Sequence, residues 1–355
     1  MPSKKNSKVT LQDIADALNI SRGTVDRAIH NRGRISEKTR KAILDKASAM
    51  GYIDDKISRF TILKDKIRIL ALFPEHPSFF YDVMKAGLLS AVTEQNDPLI
   101  ELDVVHYNPE DSSGFIKILK SELQENSLKG VLLVPSGHFD PSLTLPGAAG
   151  IPYITINTDL PGSRRRCFVG QNLYQSGRLG GELIQKISPS GDVLVLSGYR
   201  GLWAHEQRIS GVMDVLKGMN PEQKTVLRYC YDDADTAARQ LSDALYSDSS
   251  IQGVISLTAA ASLGAVQALR TLKGEKRIPL VGYDYNEELS RALDEGLCDA
   301  LIGQNPEKQG SDAFKILYAM IQSGLSPVRE HYVTATELFF RELKPVQSLL
   351  SDFLK

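Results

Sequence analysis

From Ile67 onward, short apolar runs alternate with longer amphipathic segments. Typical runs are IRILALF (67–73), GVLLVP (130–135), DVLVLSG (192–198) and GVISLT (253–258). Apolar strands of this kind are typical of parallel sheets that helices cover on both faces. Their alternation with helices predicts an α/β fold with right-handed crossovers. About eleven such strands are too many for one small open sheet, so we expect two lobes.

Polar residues recur where these strands are predicted to end, although loops are polar in most proteins. In open parallel sheets, ligands bind beside the carboxyl ends of the strands. We therefore expect a polar ligand cleft between the lobes. The strand-end residues are Glu75, His76, Ser136, His138, Asn157, Thr158, Asp159, Tyr199, Thr258, Asp284, Gln304 and Asn305.

The segment from Val9 to Asn31 predicts two short helices joined by a tight turn. Ser21 stands at the N-cap position of the second helix, where its hydroxyl can accept a backbone N–H. That helix is polar and basic on its outward face, which is the form of a major-groove reader. The residues expected to point inward are Ile14, Ala15, Leu18, Val25, Ala28 and Ile29.

A third helix is predicted to run from an N-cap at Ser36 to about Met50, with Gly51 ending it. Its inner stripe is expected to contain Ala42, Ile43, Ala47 and Met50. Three short helices around a small apolar centre predict a compact all-α headpiece. The charged connector DDKISRFTILKDK (54–66) could be a short amphipathic helix or a loop.

The formal net charge of −1 conceals an uneven distribution along the 355 residues. Residues 1–66 contain 15 Lys or Arg and 8 Asp or Glu, whereas the remainder contains 27 and 35. A basic head on an acidic body predicts that contact with nucleic acid is confined to the head.

The cysteines, Cys167, Cys230 and Cys298, are single and distant, so no CxxC or CxxH spacing predicts a metal site. Nothing in the sequence calls for a cofactor. Unpaired cysteines fit a reducing cytoplasm, which is the expected location. The N-terminus has no apolar signal region, and no run approaches 18 apolar residues, so no membrane contact is expected.

The headpiece resembles that of the LacI (lactose repressor) family of bacterial transcription factors. The shared pattern is V-T-L-x-D-I-A-x-x-x-x-I-S-x-x-T-V-x-R from Val9, followed by I-S-E-K-T-R and G-Y. The resemblance implies that Arg27 reads a guanine, a common specific contact of arginine. The DNA-binding residues that it implies are Thr10, Ser21, Arg22, Gly23, Thr24, Arg27 and Asn31.

Two departures from the family pattern affect DNA contact. Asp26 replaces the usual serine, and we expect it to pair with Arg22 or Arg27 or to change the docking on DNA. Thr61 stands where the family has a leucine that wedges into the minor groove. Phe60 or Ile62 could substitute for that leucine, so minor-groove wedging is left open.

The rest of the chain resembles the ligand domain of this family, a periplasmic-binding-protein-like fold of the ribose/galactose type. The matching segments include IPYITINTD (151–159), HEQRISGV (205–212) and IGQNPEKQG (302–310). The aromatic candidates could alternatively serve only in core packing. The polar candidates could alternatively be a surface charge, a helix cap or a linker residue. The implied ligand-binding residues are Phe79, Phe80, Asn157, Thr158, Asp159, Trp203, Arg208, Thr258, Asp284 and Gln304.

The expected function is a ligand-responsive transcriptional regulator, with repression as the expected action. Its partners would be near-palindromic double-stranded operator DNA, a second copy in a homodimer, and a sugar, polyol or sugar-phosphate effector between the lobes. Arg164, Arg165 and Arg166 could hold a phosphate, but a solvated loop is favoured. The expected domains are a headpiece (1–53), a hinge (54–66) and an effector domain (67–348), with a first lobe of about 67–168 plus 305–328 and a second of about 169–304 plus 329–348.

Three other functions are less favoured. The first alternative is a cytoplasmic sugar-binding protein without operator-specific DNA binding. A transport binding protein is disfavoured by the basic head, and an enzyme by the absence of G-x-S-x-G, Walker A or paired-metal motifs. The tail from Leu343 to Lys355 is too short for sustained heptads, which favours a dimer over a tetramer.

Overall fold

The computed structural model describes residues 9–30, 32–33, 35–50, 52, 66–75, 79–124, 127–136, 145–272 and 277–343. The chain divides into two compact units between Arg68 and Ile69. The short segment Pro98–Glu101 groups with the first unit, in which the Ile67 N–H donates to the Leu99 carbonyl over 2.8 Å.

The described residues of the first unit form the helices α1 Leu11–Leu18, α2 Arg22–Ile29 and α3 Glu37–Ala49. Two of the caps predicted from the sequence are confirmed, because Ser21 accepts the Thr24 N–H and Ser36 accepts the Thr39 N–H, each over 3.1 Å. These caps satisfy backbone donors that the first turn of a helix leaves free.

The headpiece core matches the predicted inward residues, with one exception. Ala42 is exposed, so its assignment to the inner stripe of α3 is wrong, and Leu44 packs against the core instead. Leu44 lies three residues before Ala47 and therefore shares its side of the helix, whereas Ala42 lies on the other flank. The fully buried residues are Ile14, Ala15, Val25, Ala28, Ile29, Ile43 and Ala47, and Leu18 and Met50 pack against them.

Strands and helices alternate through the remainder of the chain. The strands are β1 Ile67–Pro74, β2 Ile100–Tyr107, β3 Leu128–Leu133, β4 Tyr153–Ile156, β5 Cys167–Gln171, β6 Asp192–Ser197, β7 Thr225–Tyr229, β8 Ile251–Ser256, β9 Leu280–Tyr283, β10 Ala300–Gly303, β11 His331–Thr334 and β12 Glu337–Phe339. The helices are α4 Phe79–Gln95, α5 Ser112–Leu123, α6 Leu145–Ala148, α7 Leu173–Ile187, α8 Trp203–Met219, α9 Ala234–Ser247, α10 Ala259–Thr271, α11 Glu287–Asp294 and α12 Pro306–Ser323.

Within the described residues, these strands form two six-stranded sheets, one in each lobe. The orders are β2-β1-β3-β4-β5-β11 and β7-β6-β8-β9-β10-β12, so the two lobes repeat one topology. This is the doubly wound order in which the chain reverses direction beside its first strand, and a ligand crevice opens there. The predicted α/β fold with two parallel-sheet lobes is confirmed.

The two strands within residues 331–340 are divided between the lobes. β11 pairs in parallel with β5 in the first sheet, whereas β12 pairs antiparallel with β10 in the second. The assignment of residues 329–348 to the second lobe is therefore wrong for β11. The proposed first-lobe limit at 168 is also too early, because β5 belongs to the first sheet and extends to Gln171.

The central strands of both sheets are buried on both faces, as their apolar sequences require, whereas the edge strands β2, β7, β11 and β12 are mostly half-buried or exposed. Every residue of β1 except Arg68 is buried, and the same is true of all residues of β5, β9 and β10. Polar side chains are therefore confined mainly to the strand ends. Among the described residues, no helix has the length and apolar character needed to cross a membrane.

Candidate functional site

The second unit contains a polar cavity of about 590 Å³, a volume that includes space open to solvent. The first lobe contributes residues that follow β1, β3 and β4, and the second contributes residues that follow β6, β7, β8, β9 and β10. The lining residues are Phe80, Tyr81, Ser136, Asn157, His205, Arg208, Asp232, Thr258, Ala259, Ala260, Asp284 and Gln304.

Arg208 is the centre of a hydrogen-bonded network along the second lobe. Its side chain is only 3% exposed, and its guanidinium lies 4.8 Å from the centroid of the Tyr283 ring. Arg208 donates to the Leu257 carbonyl over 3.0 Å and to the side-chain oxygen of Gln304. The side-chain N–H of Gln304 donates in turn to the Asp284 carboxylate over 2.8 Å. The guanidinium is thereby held in one orientation, with its buried Nε lacking a partner among the described residues.

Asp284 is a buried carboxyl group at the end of β9. It is 7% exposed, and its backbone has a left-handed φ of 69°. Burial raises the pKa of Asp284 from 3.8 to about 6, while the nearby Arg208 and the amide of Gln304 lower it. At pH 7 the cavity therefore contains an ionised carboxylate whose burial is unfavourable. This carboxylate can accept hydrogen bonds from the hydroxyl groups of a ligand.

A second acidic group, Asp232, lies beside His205. The backbone N–H of Tyr199 donates to Nδ1 of His205 over 2.8 Å, so a neutral ring carries its proton on Nε2. That Nε2 is 3.9 Å from a carboxylate oxygen of Asp232, too far for a hydrogen bond. Burial lowers the pKa of His205, and the carboxylate of Asp232 opposes this shift.

The backbone that presents Asp232 is strained. Tyr231 and Asp232 both have left-handed conformations, with φ of 56° and 53°. Residues other than glycine adopt the left-handed conformation at a cost of about 1–3 kcal/mol each, and such residues concentrate at functional sites. Bonds from the Cys230 N–H to the Ser197 carbonyl (2.7 Å) and from the Tyr231 N–H to the Gly198 carbonyl (3.2 Å) hold the turn.

The first lobe contributes an aromatic and amide wall. The rings of Phe80 and Tyr81 meet edge to face with centroids 5.8 Å apart. Asn157 has a left-handed φ of 64°, and its buried side-chain oxygen has no partner in the described part of the chain. Across the cavity, Thr258 caps α10 by accepting the Ala261 N–H over 3.2 Å, so its hydroxyl is partly engaged.

Four residues expected to bind ligand do not line the cavity. Phe79 and Trp203 lie in the first turns of α4 and α8 and are 54% and 39% exposed. Thr158 is buried away from the cavity lining. The fourth residue, Asp159, pairs with Arg165, so its assignment to the ligand is wrong.

Asp159 forms a buried ion pair with Arg165 in the first lobe. Arg165 Nη2 donates to the carboxylate over 2.6 Å, and the Thr155 hydroxyl and the Leu160 N–H donate to it over 2.9 and 2.8 Å. The pairing removes Arg165 from the candidate phosphate cluster, while Arg164 and Arg166 are exposed as a solvated loop predicts. These contacts explain why Asp159 is unavailable to a ligand.

Six lining residues were not predicted as ligand contacts, and three of them, Tyr81, His205 and Asp232, carry large or ionisable side chains; the others are Ser136, Ala259 and Ala260. His205 precedes Arg208 by three residues in α8, and this spacing places the two side chains on one face of the helix. This spacing could have identified His205 as a lining residue once Arg208 was assigned to the ligand. Asp232 follows β7 by three residues, so the strand-end rule applied to it too, but the direction of its side chain depends on two consecutive left-handed residues and was not predictable.

The DNA-reading candidates lie on or beside α2. Arg22, Gly23 and Arg27 are exposed, and the Arg27 Nε donates to the Gly23 carbonyl over 3.1 Å. The Ser21 and Thr24 hydroxyls share a hydrogen bond of 2.8 Å. The exposed face of α2 therefore presents two guanidinium groups beside a residue without a side chain.

Thr10 and Asp26 have partners within the headpiece. Thr10 and Asp13 form a reciprocal capping box at the start of α1, in which the Thr10 N–H donates to the carboxylate over 2.7 Å. Asp26 contacts His30, one turn further along α2, at 3.1 Å, and has no ion pair with Arg22 or Arg27 among the described residues. The alternative, that Asp26 changes the docking on DNA, stays a prediction. Asn31 and the connector that includes Thr61 lie outside the described residues.

A helix-turn-helix headpiece followed by a two-lobed ligand-binding fold defines a class of bacterial transcriptional regulators. The chain belongs to the lacI family of bacterial regulatory proteins, whose family model matches residues 10–55. A periplasmic binding protein domain matches residues 70–325.

Two relatives match most of the chain. The HTH-type transcriptional regulator CelR of Thermobifida fusca is 24% identical over 295 residues, which cover 79% of this chain and 83% of that protein. The ribose operon repressor of Bacillus subtilis is 22% identical over 284 residues, covering 78% and 81%. These relatives are transcriptional regulators, and no enzyme family is indicated.

The fold of the second unit is also found in transport binding proteins. GanP, a glucose-galactose binding protein from Geobacillus stearothermophilus, superimposes with a TM-score of 0.71 at 19% sequence identity. The match covers 80% of this chain and all of GanP, 100% of its residues.

Replacing Asp284 by asparagine is expected to stabilise the protein at neutral pH. The raised pKa means that the folded carboxyl binds its proton more tightly than the unfolded one, so its contribution to stability falls as pH rises from 3.8 to about 6. A shift of this size corresponds to about 3 kcal/mol. The asparagine side chain lacks this penalty and tolerates the left-handed backbone.

The measurement is urea unfolding at pH 3.5 and 7.5, followed by fluorescence of Trp203, the chain's single tryptophan. The advantage of Asp284→Asn over wild type should be larger at pH 7.5 by roughly 3 kcal/mol. Asp243→Asn, at an exposed position of α9, is the matched control and should show no such difference. An equal advantage at both pH values would contradict the burial of an ionised Asp284.

Proposed function

We propose that this regulator binds a near-palindromic operator as a homodimer and that a small polyhydroxylated effector in the cavity changes its operator affinity. The observation that carries the effector is the Arg208–Gln304–Asp284 network facing the cavity. Its site of action would be the cytoplasm, where operator DNA is accessible.

The cavity offers hydrogen-bonding groups of both kinds, as a polyol requires. A hydroxyl group both donates and accepts, so a ring with several hydroxyls needs acceptors and donors at close spacing. Asp284 and the unpartnered Asn157 oxygen can accept, and the unpartnered Arg208 Nε can donate. The Phe80 ring offers an apolar surface to the C–H face of a sugar. GanP, of similar fold, is described as a glucose-galactose binding protein, which supports the same ligand class.

Operator recognition is proposed for the exposed face of α2. Arg22 and Arg27 are free of carboxylate partners in the described headpiece and can approach base edges. One short helix contacts few base pairs, so a dimer reading two half-sites about one helical turn apart is needed for specific affinity. Ligand and DNA would then be linked, each altering the affinity of the other by one common factor.

The function is tested with the full chain in two assays. Gel retardation over genomic fragments at several salt concentrations should select a subset of fragments, with retention falling as salt rises. A thermal-shift screen of neutral and charged sugars and polyols should raise the melting temperature with at least one compound. That compound should change fragment retention in either direction. Retention without fragment preference, or a stabilising compound without effect on retention, would contradict the proposal.

Arg27→Ala is expected to remove most of the preference for the selected fragments. Arginine paired with guanine contributes ~1–3 kcal/mol of discrimination, which corresponds to about 5- to 150-fold in each half-site. Arg27 is exposed and bonds only the Gly23 carbonyl in the described headpiece, so its loss should not unfold the unit. Competition gel retardation against unselected fragments measures the preference.

Lys38→Ala is the matched control for this substitution. Lys38 is an exposed cation on α3, so its removal changes the headpiece charge equally without touching α2. It should weaken retention of all fragments by a similar, small factor. Equal effects of the two substitutions would assign Arg27 to phosphate contact or to the solvated surface, not to base reading.

A further inference from the structure

The cavity contains more negative than positive side chains. Asp232 and Asp284 both line it, whereas Arg208 is the only Lys or Arg among its lining residues. Two of the guanidinium's donor groups are already engaged by the Leu257 carbonyl and by Gln304. Among the described residues, no Lys or Arg lies within ion-pair distance of Asp232, whose only ionisable neighbour at that distance is His205.

His205 does not neutralise Asp232. The ring accepts the Tyr199 N–H at Nδ1, and its burial disfavours the doubly protonated form. The remaining Nε2–H has no acceptor within hydrogen-bond distance among the described residues, although the side chain is only 5% exposed. Because His205 lines the cavity, a ligand can supply the acceptor that this donor lacks.

One end of the cavity thus places an unused donor next to an unused acceptor. The Oδ1 atom of Asp232 is buried and has no hydrogen-bond partner in the described part of the chain. The imidazole N–H can donate to a hydroxyl oxygen, and the carboxylate can accept from an ammonium group on a neighbouring carbon. Because the two groups are 3.9 Å apart, they suit substituents on adjacent atoms of one ligand.

We propose that His205 and Asp232 form a subsite for an amino group and its neighbouring hydroxyl, and that the effector is an amine-bearing sugar or polyol. This inference rests on the proposed function, since it names the class of ligand that the same cavity takes. An ammonium group would supply the cation that Asp232 lacks. The Asp232 side chain is 27% exposed but its Oδ1 is buried and unpartnered, so a ligand cation would add a charge-assisted bond that the protein itself does not supply.

The same charges disfavour anionic effectors. A phosphate or carboxylate in this cavity would face Asp232 and Asp284 with only Arg208 to offset them. The sugar phosphates that the sequence left open are therefore outside the proposed class. Neutral sugars can use the Arg208–Gln304–Asp284 network but leave Asp232 without a cation.

The backbone conformation around the subsite leaves room for the His205–Asp232 pair. A Cβ at Gly198 would lie 2.8 Å from Cγ of Asp232 and would overlap the His205 ring, so glycine is needed there to leave room for the pair. The two left-handed residues Tyr231 and Asp232 turn the carboxylate toward the cavity. Asparagine adopts the left-handed region readily, which makes Asp232→Asn a conservative removal of charge.

The test uses the full chain and matched compounds at pH 7.5. The panel is glucose, glucosamine, N-acetylglucosamine, glucose 6-phosphate and glucuronate, with the five galactose counterparts. Titration calorimetry on each compound that raises the melting temperature gives its Kd. In at least one series the amine should bind about 10-fold or more tightly than the neutral sugar and its N-acetyl derivative, because a charge-assisted bond is added. The anionic members should bind more weakly than the neutral one.

Asp232→Asn should reduce the preference for the amine over the neutral sugar to about threefold or less, while neutral binding changes little. Asp233→Asn is the matched control, because Asp233 is exposed and caps α9, a role that asparagine fills equally well. It should leave the preference unchanged.

Three outcomes would overturn the inference. A neutral or anionic sugar that binds at least as tightly as its amine in both series contradicts the amino subsite while leaving a polyol effector standing. A preference for the amine that survives Asp232→Asn places the amine elsewhere. If no compound in either series binds, the proposed polyol effector fails together with its subsite.

Discussion

Arg208→Ala is expected to abolish the effector response while the headpiece retains its affinity for DNA. Arg208 connects Leu257, Gln304 and the buried Asp284, and no other Lys or Arg lines the cavity. Its removal leaves the Gln304 oxygen without its donor and Asp284 without its nearest offsetting charge. Removing one partner from a buried polar network costs about 3–5 kcal/mol.

The expected loss of effector affinity is about 100-fold or more, since a charged donor to the ligand and the orientation of Asp284 are lost together. The readout is the Kd of the compound with the largest wild-type thermal shift, measured by calorimetry. Retention of a selected DNA fragment without that compound is measured in parallel and should remain near the wild-type value.

Arg208→Lys separates a failure to fold from a failure to bind. Lysine keeps the charge but cannot bond the Leu257 carbonyl and Gln304 at once in the fork geometry of arginine. This variant should fold and bind the compound about 10-fold more weakly. Arg270→Ala is the matched control, because Arg270 forms only exposed ion pairs with Glu288 and Glu295 on the same unit. An unchanged effector response in Arg208→Ala would place the effector outside this cavity.

The parts of the fold that follow from local chemistry could be predicted from the sequence. A hydroxyl before a helix and a 3.6-residue apolar period are sufficient to place Ser21, Ser36 and the headpiece core. Apolar strands alternating with helices were sufficient for the two-lobed fold. Sheet membership at the edge was not predictable, since whether β11 joins β5 depends on contacts far away in sequence.

The candidate site divides in the same way. Asp284, Gln304 and Asn157 reach the cavity because each directly follows a strand, and that rule needs only the positions of strand ends. The rule does not give the direction of a side chain. Asp159 turns to Arg165, six residues later, and Phe79 and Trp203 point outward from first turns whose rotation is set by packing.

The packing of α7 against α8 at Gly177 affects the position of Arg208 in the ligand cavity. A Cβ on Gly177 of α7 would lie 2.8 Å from both Cα and the carbonyl carbon of Arg208 in α8. Gly211, one turn after Arg208, makes the reciprocal approach, since its Cβ would lie 2.7 Å from the Arg178 nitrogen. The two backbones touch at the turn that carries the guanidinium, so the position of Arg208 depends on glycine at 177.

Gly177→Ala is therefore expected to destabilise the second unit by about 3 kcal/mol and to weaken effector binding. Helix propensity alone predicts the opposite sign, because alanine is favoured over glycine in a helix by roughly 1 kcal/mol. The clash is with backbone atoms, which cannot rotate away, so packing should outweigh propensity. Urea unfolding followed by Trp203 fluorescence measures the stability, and Trp203 lies in α8 itself.

Gly218→Ala in α8, the helix against which Gly177 packs, is the matched control, because a Cβ there meets no atom within 4 Å. This variant should be neutral or more stable by up to about 1 kcal/mol, as propensity predicts, and should bind effector normally. If Gly177→Ala were stabilised by the same amount, α7 and α8 would not be in backbone contact. The orientation of Arg208 would then have to come from its bonds to Leu257 and Gln304 alone.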